Sequence, residues 1–301
     1  MAVDSAPGAT HETRTRPPGS LWRRFRRGVS RWMLPVYAFL AVTFLALPVL
    51  VMIAFSFNDP AGRANLTWQG FSIDAWLNPL GPSGLGEAVF ASLLIAFLST
   101  IIATAIGVLM ALALVRHSFR GRGATNLLVF LPMSTPEIVL GTSLLTLFIA
   151  TAQGTILPKG FLYPLGMPTI LIAHVMFNIS FVVVTVKARI QGFDRNLEEA
   201  AMDLGANEWA TFWKVTFPLI RPGIIAAALL AFSLSIDDFI VTNFTSGNLN
   251  TFPVWVWGTI RNNLPPQVHV IGSAIFLLAV SAVAISSILS ARGQRPAAVP
   301  R

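Results

Sequence analysis

Three carboxylates lie within long apolar stretches of the sequence, where a charged side chain is costly. Glu137 follows the segment Pro-Met-Ser-Thr-Pro, and Asp237 and Asp238 adjoin each other in the segment Ser-Leu-Ser-Ile-Asp-Asp-Phe. On insertion scales, a charge at the centre of a membrane helix costs about 2.5–3.5 kcal/mol. Carboxylates in a site of low dielectric constant attract cations, and nearby aromatic rings add cation–π contacts. The pattern therefore predicts a polar site that lines a pathway for cations.

Two helices are predicted to carry these acids, both running from the inner to the outer face. At 1.5 Å per residue, Glu137 and Asp237 lie about 20 and 22 Å from the inner ends of their helices, in one layer of the outer half. Pro132 and Pro136 interrupt the first helix, which membranes tolerate where the backbone lines a cavity. Asp238 lies about 100° from Asp237 around the second helix, so one aspartate can contact the solute while the other accepts structural hydrogen bonds. Alternatively, the acidic pair only holds a helix end or a partner subunit.

The composition places these acids in a membrane protein. Of the 301 residues, 54% are hydrophobic and 11% are charged, whereas soluble domains carry about 25% charged residues. Crossing the bilayer takes roughly 20 apolar residues per helix, and six segments reach that length. They are residues 33–57, 88–115, 125–152, 168–187, 223–245 and 269–291. We therefore predict an all-α integral membrane protein with six transmembrane helices.

The distribution of basic residues predicts the orientation of these helices. If the N-terminus is cytoplasmic, all but three of the 21 Lys and Arg residues fall in inner segments, as the positive-inside rule requires. The exceptions are Arg63, Lys159 and Arg261. Both termini are therefore predicted to be cytoplasmic, with a disordered basic tail (1–31), a transmembrane domain (32–291) and a short tail (292–301). A cleaved signal peptide is the alternative at the N-terminal end, but the apolar run exceeds the usual length of about 7–15 residues.

The net charge and the absence of cysteine exclude several classes of function. A net charge of +8 suits contact with anionic lipid at the inner face. Nucleic-acid binding would need the basic residues to form one face of a folded domain, whereas long apolar runs separate them, so no nucleic-acid partner is predicted. Without cysteine, the chain forms no disulfide, thiolate metal site or cysteine nucleophile.

The longest inner loop predicts a helix, a glycine corner and a second helix. Asn196 and Glu199 match a capping box, so the first helix begins at Asn196. It carries an apolar stripe with small residues at its centre, formed by Leu197, Ala200, Ala201 and Leu204. Gly205 suits the left-handed position that ends a helix. Asn207 can then cap a second short helix that is expected to end before Pro218.

This loop, residues 188–222, resembles the EAA loop of permease subunits from binding-protein-dependent ABC importers. The matching positions are Glu199, Ala200, Ala201, Gly205, Val215, Phe217 and Pro218. The usual pattern has Ile and Leu at the positions of Val215 and Phe217, both conservative changes. The resemblance implies a type I ABC importer permease fold, in which the short loop helix couples to an ATPase subunit. The coupling residues that it implies are Glu199, Ala200, Ala201, Leu204, Gly205 and Pro218.

The resemblance assigns ATP hydrolysis to separate subunits. None of the three lysines ends a G-x-x-x-x-G-K-[ST] phosphate loop, so the chain is not expected to be an enzyme, and ATP and Mg belong on a dimer of ATPase subunits. The resemblance further implies a second, homologous permease subunit, a periplasmic or extracellular binding protein, and a place in the bacterial inner membrane. The chain itself is expected to bind neither a cofactor nor a metal ion. For the short helix of the loop, the alternative to coupling with an ATPase is a connecting helix that packs on the bilayer surface. A stripe of alanines is a poor anchor for such a helix.

Within this family, the sequence is similar to the C- or I-type component of spermidine/putrescine importers. The similarity covers nearly the whole chain after residue 30 and is carried by residues 65–71, 135–139, 233–239 and 251–255. It implies that polyamines pass a set of polar and aromatic side chains, namely Trp68, Glu137, Ser235, Asp237 and Asp238. Glu137 stands where the family often has Asp, which keeps the charge and lengthens the reach.

Other functions fit the sequence less well. Related permeases carry iron, thiamine or sulfate, and sulfate is disfavoured beside three carboxylates. An ion-coupled secondary transporter that uses Asp237 and Asp238 is the alternative from another class, but the EAA-like loop and the lack of a visible internal repeat stand against it. No triad or metal-cluster motif indicates a membrane enzyme. His174 and Asn178, one turn apart, predict an interhelical hydrogen bond rather than a metal site.

Overall fold

The computed structural model describes residues 20–62, 64–154, 164–260 and 264–293, with side chains described from residue 33 to residue 281 inside those ranges. Within them the regular backbone is helical, and extended pairing is limited to an isolated bridge between Asn58 and Phe71. The helices are α1 (Ser20–Phe55), α2 (Asp74–Leu77), α3 (Leu85–Arg116), α4 (Arg122–Ser134), α5 (Glu137–Ala152), α6 (Met167–Gln191), α7 (Asn196–Asp203), α8 (Glu208–Thr211), a π-helical turn (Phe212–Thr216), α9 (Phe217–Ile236), α10 (Ile240–Thr245), α11 (Phe252–Thr259) and α12 (Pro266–Gly293). The all-α prediction is confirmed for this part of the chain.

The chain forms two compact units. The first holds α1 and the part of α12 that begins at Gly272. In α1 the apolar side chains from Met33 to Phe55 are largely exposed, as in a helix that faces lipid tails, which are as apolar as leucine. The second unit runs from Phe57 to Ile271 and holds the candidate site residues and the EAA-like loop.

Four helices among the described residues are long and apolar enough to cross a membrane, and a bent pair brings the number to five. The four are Met33–Phe55, Leu85–Arg116, Met167–Gln191 and Glu208–Ile236. They correspond to the first, second, fourth and fifth predicted spans. The bent pair, α4 and α5, takes the place of the third. The sixth predicted span falls within α12, and six spans with cytoplasmic termini remain a prediction.

The predicted tails are only partly covered by the structure. Residues 1–19 and 294–301 lie outside the described residues, as do the basic residues Arg63, Lys159 and Arg261. Residues 20–31, predicted as part of a disordered tail, belong to α1 and are helical.

The core of the second unit lies among α3, α6 and α9, with a contribution from α4. It consists of small and branched aliphatic side chains, namely Ala111, Leu114, Val129, Val182, Val183, Val186, Ile190, Ile220, Ala227 and Ala231. Small residues let membrane helices approach closely and gain van der Waals contact. At Gly107 of α3, a Cβ atom would lie 2.6 Å from Val182 Cγ1 of α6. The crossing of these two helices therefore requires glycine at this position.

Replacement of Gly107 by alanine is expected to lower the thermal unfolding midpoint of the detergent-solubilised protein. The added methyl group overpacks the crossing with Val182, which costs about 1–3 kcal/mol. Gly258→Ala is the matched control, because it brings a similar gain in helix propensity and its Cβ has nothing within 4 Å. Equal midpoints for the two variants would show that the crossing is not tightly packed.

The helix that carries the fifth predicted span begins earlier and ends earlier than expected. The predicted stop before Pro218 is wrong, because the segment from Glu208 runs through the π-helical turn into α9 without a break. The N–H of Phe217 donates to the carbonyl oxygen of Phe212, an i→i+5 bond that shifts the hydrogen-bond ladder by one residue. Pro218 lies directly after the π-helical turn, where the hydrogen-bond ladder is already shifted and the missing N–H of proline therefore does less harm than in a regular helix.

Candidate functional site

The first element of the candidate site is the break between α4 and α5. Thr135 and Pro136 have extended ψ angles of 131° and 133°, and the axes of the two helices differ by 108°. Proline has no N–H, and it disfavours helical backbone in the residue before it. The interruption predicted from the sequence is confirmed at Pro136, whereas Pro132 lies inside α4 and does not end it. The depth of about 20 Å predicted for Glu137 assumed one straight helix. This assumption is wrong, because the chain bends between α4 and α5.

The second element is the break between α9 and α10. α9 ends at Ile236 and α10 begins at Ile240, so the continuous span predicted over 223–245 is wrong. The physical reason is a local capping interaction: an Asp238 carboxylate oxygen accepts hydrogen bonds from the N–H and the hydroxyl of Thr242, both at 2.7 Å. Such side-chain bonds to nearby backbone compete with the helical ladder. Both aspartates therefore lie between helices rather than within one.

The two breaks border the same cavity, which has a volume of about 430 Å³. Its polar lining includes all three predicted acids, Glu137, Asp237 and Asp238, and its aromatic lining consists of Phe177, Phe181 and Phe239. Glu137 and Asp237 are exposed, whereas the side chain of Asp238 is 8% exposed. Asp237 also follows the C-terminal end of α9, whose unpaired carbonyl groups carry partial negative charge. The cavity thus combines negative potential with aromatic surface.

The other two predicted pathway residues do not line this cavity. Ser235 is buried, and its Oγ lies 3.0 Å from Ser99 Oγ of α3 and 2.6 Å from His174 Nδ1 of α6. Trp68 belongs to the chain segment that connects the end of α1 with the start of α2, and it is about half exposed. The structure therefore brings together three of the five predicted residues and places Ser235 in the helix packing.

A buried hydrogen-bond network holds the second break, and its centre, His174, was not predicted as a site residue. His174 Nε2 lies 2.9 Å from Thr242 Oγ1 and 3.3 Å from Asp238 Oδ2, while Nδ1 contacts Ser235. One imidazole ring thus connects α6 with α9, the break and α10, which confirms the predicted interhelical hydrogen bond for His174. Asn178 is fully buried, and its amide has no hydrogen-bond partner within the described part of the chain.

The EAA-like loop folds as a helix, a glycine corner and a second helix. α7 begins at Asn196 as predicted, but the capping box is wrong, because Asp194 Oδ1 accepts the hydrogen bond from the Asn196 N–H at 3.0 Å. Gly205 adopts the predicted left-handed conformation, with a φ of +90°. Asn207 caps α8 as predicted, through an N–H···Oδ1 bond of 2.8 Å from Ala210.

The apolar stripe predicted on α7 is largely exposed. Leu204 is 90% exposed, Leu197 is 50% exposed and Ala200 is exposed, while Ala201 is half-buried. Trp209 of α8 adds another exposed apolar side chain beside the glycine corner. The docking role of Glu199, Ala200, Ala201, Leu204, Gly205 and Pro218 stays a prediction, and the exposure leaves this surface accessible to a partner.

Sequence reasoning missed Glu198, a buried residue in the first turn of α7. The guanidinium of Arg116, at the end of α3, and the hydroxyl of Thr216, in the π-helical turn, both donate to Glu198 Oε1. The signal in the sequence is weak: Glu198 lies about 100° from Leu197 around the helix, beside the apolar stripe, and nothing pairs it with an arginine 82 positions earlier.

Comparisons with known proteins point to one family. Residues 103–295 match the family described as binding-protein-dependent transport system inner membrane component. The spermidine/putrescine transport system permease protein PotC of Haemophilus influenzae is 32% identical, over 84% of this chain and 95% of that protein. The putrescine transport system permease protein PotI of Escherichia coli K12 is 36% identical, over 82% of this chain and 86% of that protein.

Solved structures share the fold at lower sequence identity. A bacterial ABC transporter involved in the import of the acidic polysaccharide alginate matches with a TM-score of 0.64 and 15% identity, over 91% of this chain and 99% of the matched chain. The same kind of transporter in complex with an alginate pentasaccharide-bound periplasmic protein matches with a TM-score of 0.63 and 16% identity, over 91% of this chain and 98% of the matched chain. The likeness extends to the fold alone.

Proposed function

Because the chain belongs to the family of binding-protein-dependent transport system inner membrane components, we propose that it is the C- or I-type permease subunit of an ABC importer that carries polyamines into the cell. Like its family, it is a multi-pass protein of the inner membrane. Its relatives PotC and PotI are permease proteins of spermidine/putrescine and putrescine transport systems, which supports both the subunit type and the solute.

The acidic and aromatic cavity is the observation that carries the choice of solute. A polyamine consists of ammonium groups joined by methylene chains, so it needs carboxylates for its charges and apolar surface between them. The cavity offers three carboxylates beside three phenylalanine rings, and its volume of about 430 Å³ falls within the range of small-molecule sites, about 300–1,000 Å³. Ammonium groups also gain cation–π contacts with aromatic rings.

The three acids have different roles in the proposed site. Glu137 and Asp237 are exposed to the cavity, so these two contact the ammonium groups. Asp238 is mostly buried and accepts hydrogen bonds from Thr242, with His174 nearby, so it shapes the break that presents Asp237. Ser235 supports this break through His174. Trp68, outside the cavity, belongs to the outer part of the pathway.

The remaining subunits of the importer follow from the family. Two ATPase subunits bind ATP and Mg and dock on the loop 188–222 of this chain and of a second, homologous permease. This chain binds no cofactor or metal ion of its own. A periplasmic binding protein delivers the polyamine, and the solved alginate transporter in complex with a periplasmic protein supports a partner of this kind.

The transport cycle alternates access to the cavity between the two sides of the membrane. Residues 32–291 form a domain of six spans, between cytoplasmic tails at 1–31 and 292–301. Closure of the ATPase pair moves α7, and this movement changes which side of the acidic cavity is open. The positive-inside distribution of basic residues supports this orientation.

Uptake by intact cells tests the solute. Cells that express the chain with its ATPase, second permease and binding protein are expected to accumulate labelled putrescine or spermidine, and unlabelled polyamines should compete with the label. Thiamine, ferric iron and sulfate should not compete, since none of them presents two ammonium groups to the carboxylates. Cells with an ATPase subunit unable to hydrolyse ATP provide the control. Accumulation of thiamine or iron without polyamine uptake would overturn the assignment of the solute.

A further inference from the structure

Three helical segments meet at the carboxylate of Glu198. This carboxylate lies near the start of α9, whereas the acidic cavity lies at the other end of that helix. Glu198 belongs to α7, Arg116 is the last residue of α3, and Thr216 ends the π-helical turn that leads into α9. The side chain of Glu198 is 12% exposed and that of Arg116 is 27% exposed. The carboxylate accepts hydrogen bonds from both partners. It is therefore the point where the helix of the EAA-like loop joins two core helices.

A pocket borders this ion pair. A cavity of about 380 Å³ lies among α3, α7 and α8, and its lining includes Leu112, Arg116, Glu198, Met202 and Phe212. The lining also includes Glu208, so the pocket is partly polar and offers few apolar contacts between α7 and α3. The ion pair therefore supplies a directed connection between α7 and α3 in a place where close apolar packing is incomplete.

α9 connects this ion pair with the acidic cavity. From Phe217 to Ile236, α9 has 20 residues, a length of about 30 Å, and Asp237 follows directly. α3 reaches the same region, because its Ser99 hydroxyl bonds to Ser235 near the end of α9. A displacement of α7 that pulls on Arg116 and Thr216 thus acts on the two helices that border the break beside Asp237.

We propose that Glu198 is a positioning residue that transmits movement of α7 to α3 and α9, and so couples the ATPase to the acidic cavity. This inference rests on the proposed function, because it takes the ATPase as the partner that moves α7. A purely structural role is the competing explanation. Breaking a buried ion pair destabilises a protein by leaving one charge without a partner, whereas an apolar pair of similar volume often restores stability. The two roles therefore respond differently to an apolar pair.

The test compares solute uptake with ATP hydrolysis in proteoliposomes that contain the complete importer. In Glu198→Gln, uptake per ATP hydrolysed is expected to fall by about 5- to 150-fold, the range of ordinary coupling free energies, while hydrolysis stimulated by the binding protein changes little. Asp203→Asn is the matched control, since Asp203 is an exposed carboxylate on the same helix. A fall of uptake and hydrolysis by the same factor in the assembled complex would overturn the proposal.

A second variant keeps the test decisive if Glu198→Gln fails to assemble. Arg116→Met combined with Glu198→Met removes both charges and leaves neither without a partner. We expect this variant to assemble and to hydrolyse ATP, with uptake per ATP still low, because the directed link is absent. Uptake per ATP at the wild-type level would overturn the proposal. If the wild-type complex carries another solute, the ratio is measured with that solute, so the polyamine assignment can fail separately.

Discussion

Polyamine uptake is expected to fall about 100-fold or more when Asp237→Asn and Glu137→Gln are combined. These carboxylates are the two exposed acids of the cavity, and each is proposed to bind an ammonium group. A hydrogen bond to a charged group contributes about 1.5–3 kcal/mol, so the loss of one carboxylate lowers affinity by about 10- to 100-fold. The measurement is the initial rate of labelled putrescine uptake at low concentration, normalised to the amount of assembled complex.

The control for this variant is Glu87→Gln. Glu87 is also an exposed carboxylate, in the first turn of α3 and outside the cavity lining, and its loss is expected to leave uptake unchanged. Asp238→Asn is a different test, because that carboxylate accepts two hydrogen bonds from Thr242 and its loss disturbs α10 as well. Wild-type uptake by the variant without Glu137 and Asp237 would refute the cation site.

Replacement of Gly205 by valine is expected to reduce ATP-dependent uptake by about tenfold or more, within the range of coupling free energies. Gly205 has a φ of +90° at the corner between α7 and α8, a conformation that costs other residues about 1–2 kcal/mol and β-branched residues more. No atom of the described chain lies within 4 Å of the added Cβ. The effect therefore acts on the direction of the corner and on the docked partner, not on internal packing.

Gly121→Val is the matched control for this substitution. Gly121 has a φ of +93° at the start of α4, and its Cβ would likewise meet nothing within 4 Å. Both variants carry the same kind of backbone strain, but only Gly205 lies in the loop proposed to dock on the ATPase. Uptake should be measured together with recovery of the ATPase subunit on the purified complex. If Gly205→Val transports as well as Gly121→Val, the loop does not couple the two subunits.

Local signals made the outline of the fold and part of the site predictable. Long apolar runs give the helices, and Pro136 marks the break before Glu137 because proline acts on its immediate neighbours. Gly205 and Asn207 likewise mark the glycine corner and the cap of α8 by short-range backbone chemistry. The three acids were predictable as site residues because an ionisable residue in an apolar run is costly and rarely accidental.

The interactions that sequence reasoning missed join residues far apart in the chain. The break between Ile236 and Ile240 contains neither proline nor glycine, and it depends on capping by Asp238 and on His174, more than 60 positions earlier. The pairing of Glu198 with Arg116 spans 82 positions. Apolar periodicity cannot reveal such pairs, since each partner on its own resembles an ordinary solvated charge.

The driving force for uptake tests the central claim most directly. Proteoliposomes with the complete importer receive labelled putrescine and the binding protein on one side, and ATP with Mg on the side of the ATPase. The proposed function predicts uptake that requires ATP hydrolysis and continues after ionophores collapse the ion gradients. Putrescine uptake that needs no ATP and stops with the ionophores would contradict it, and would identify an ion-coupled transporter instead.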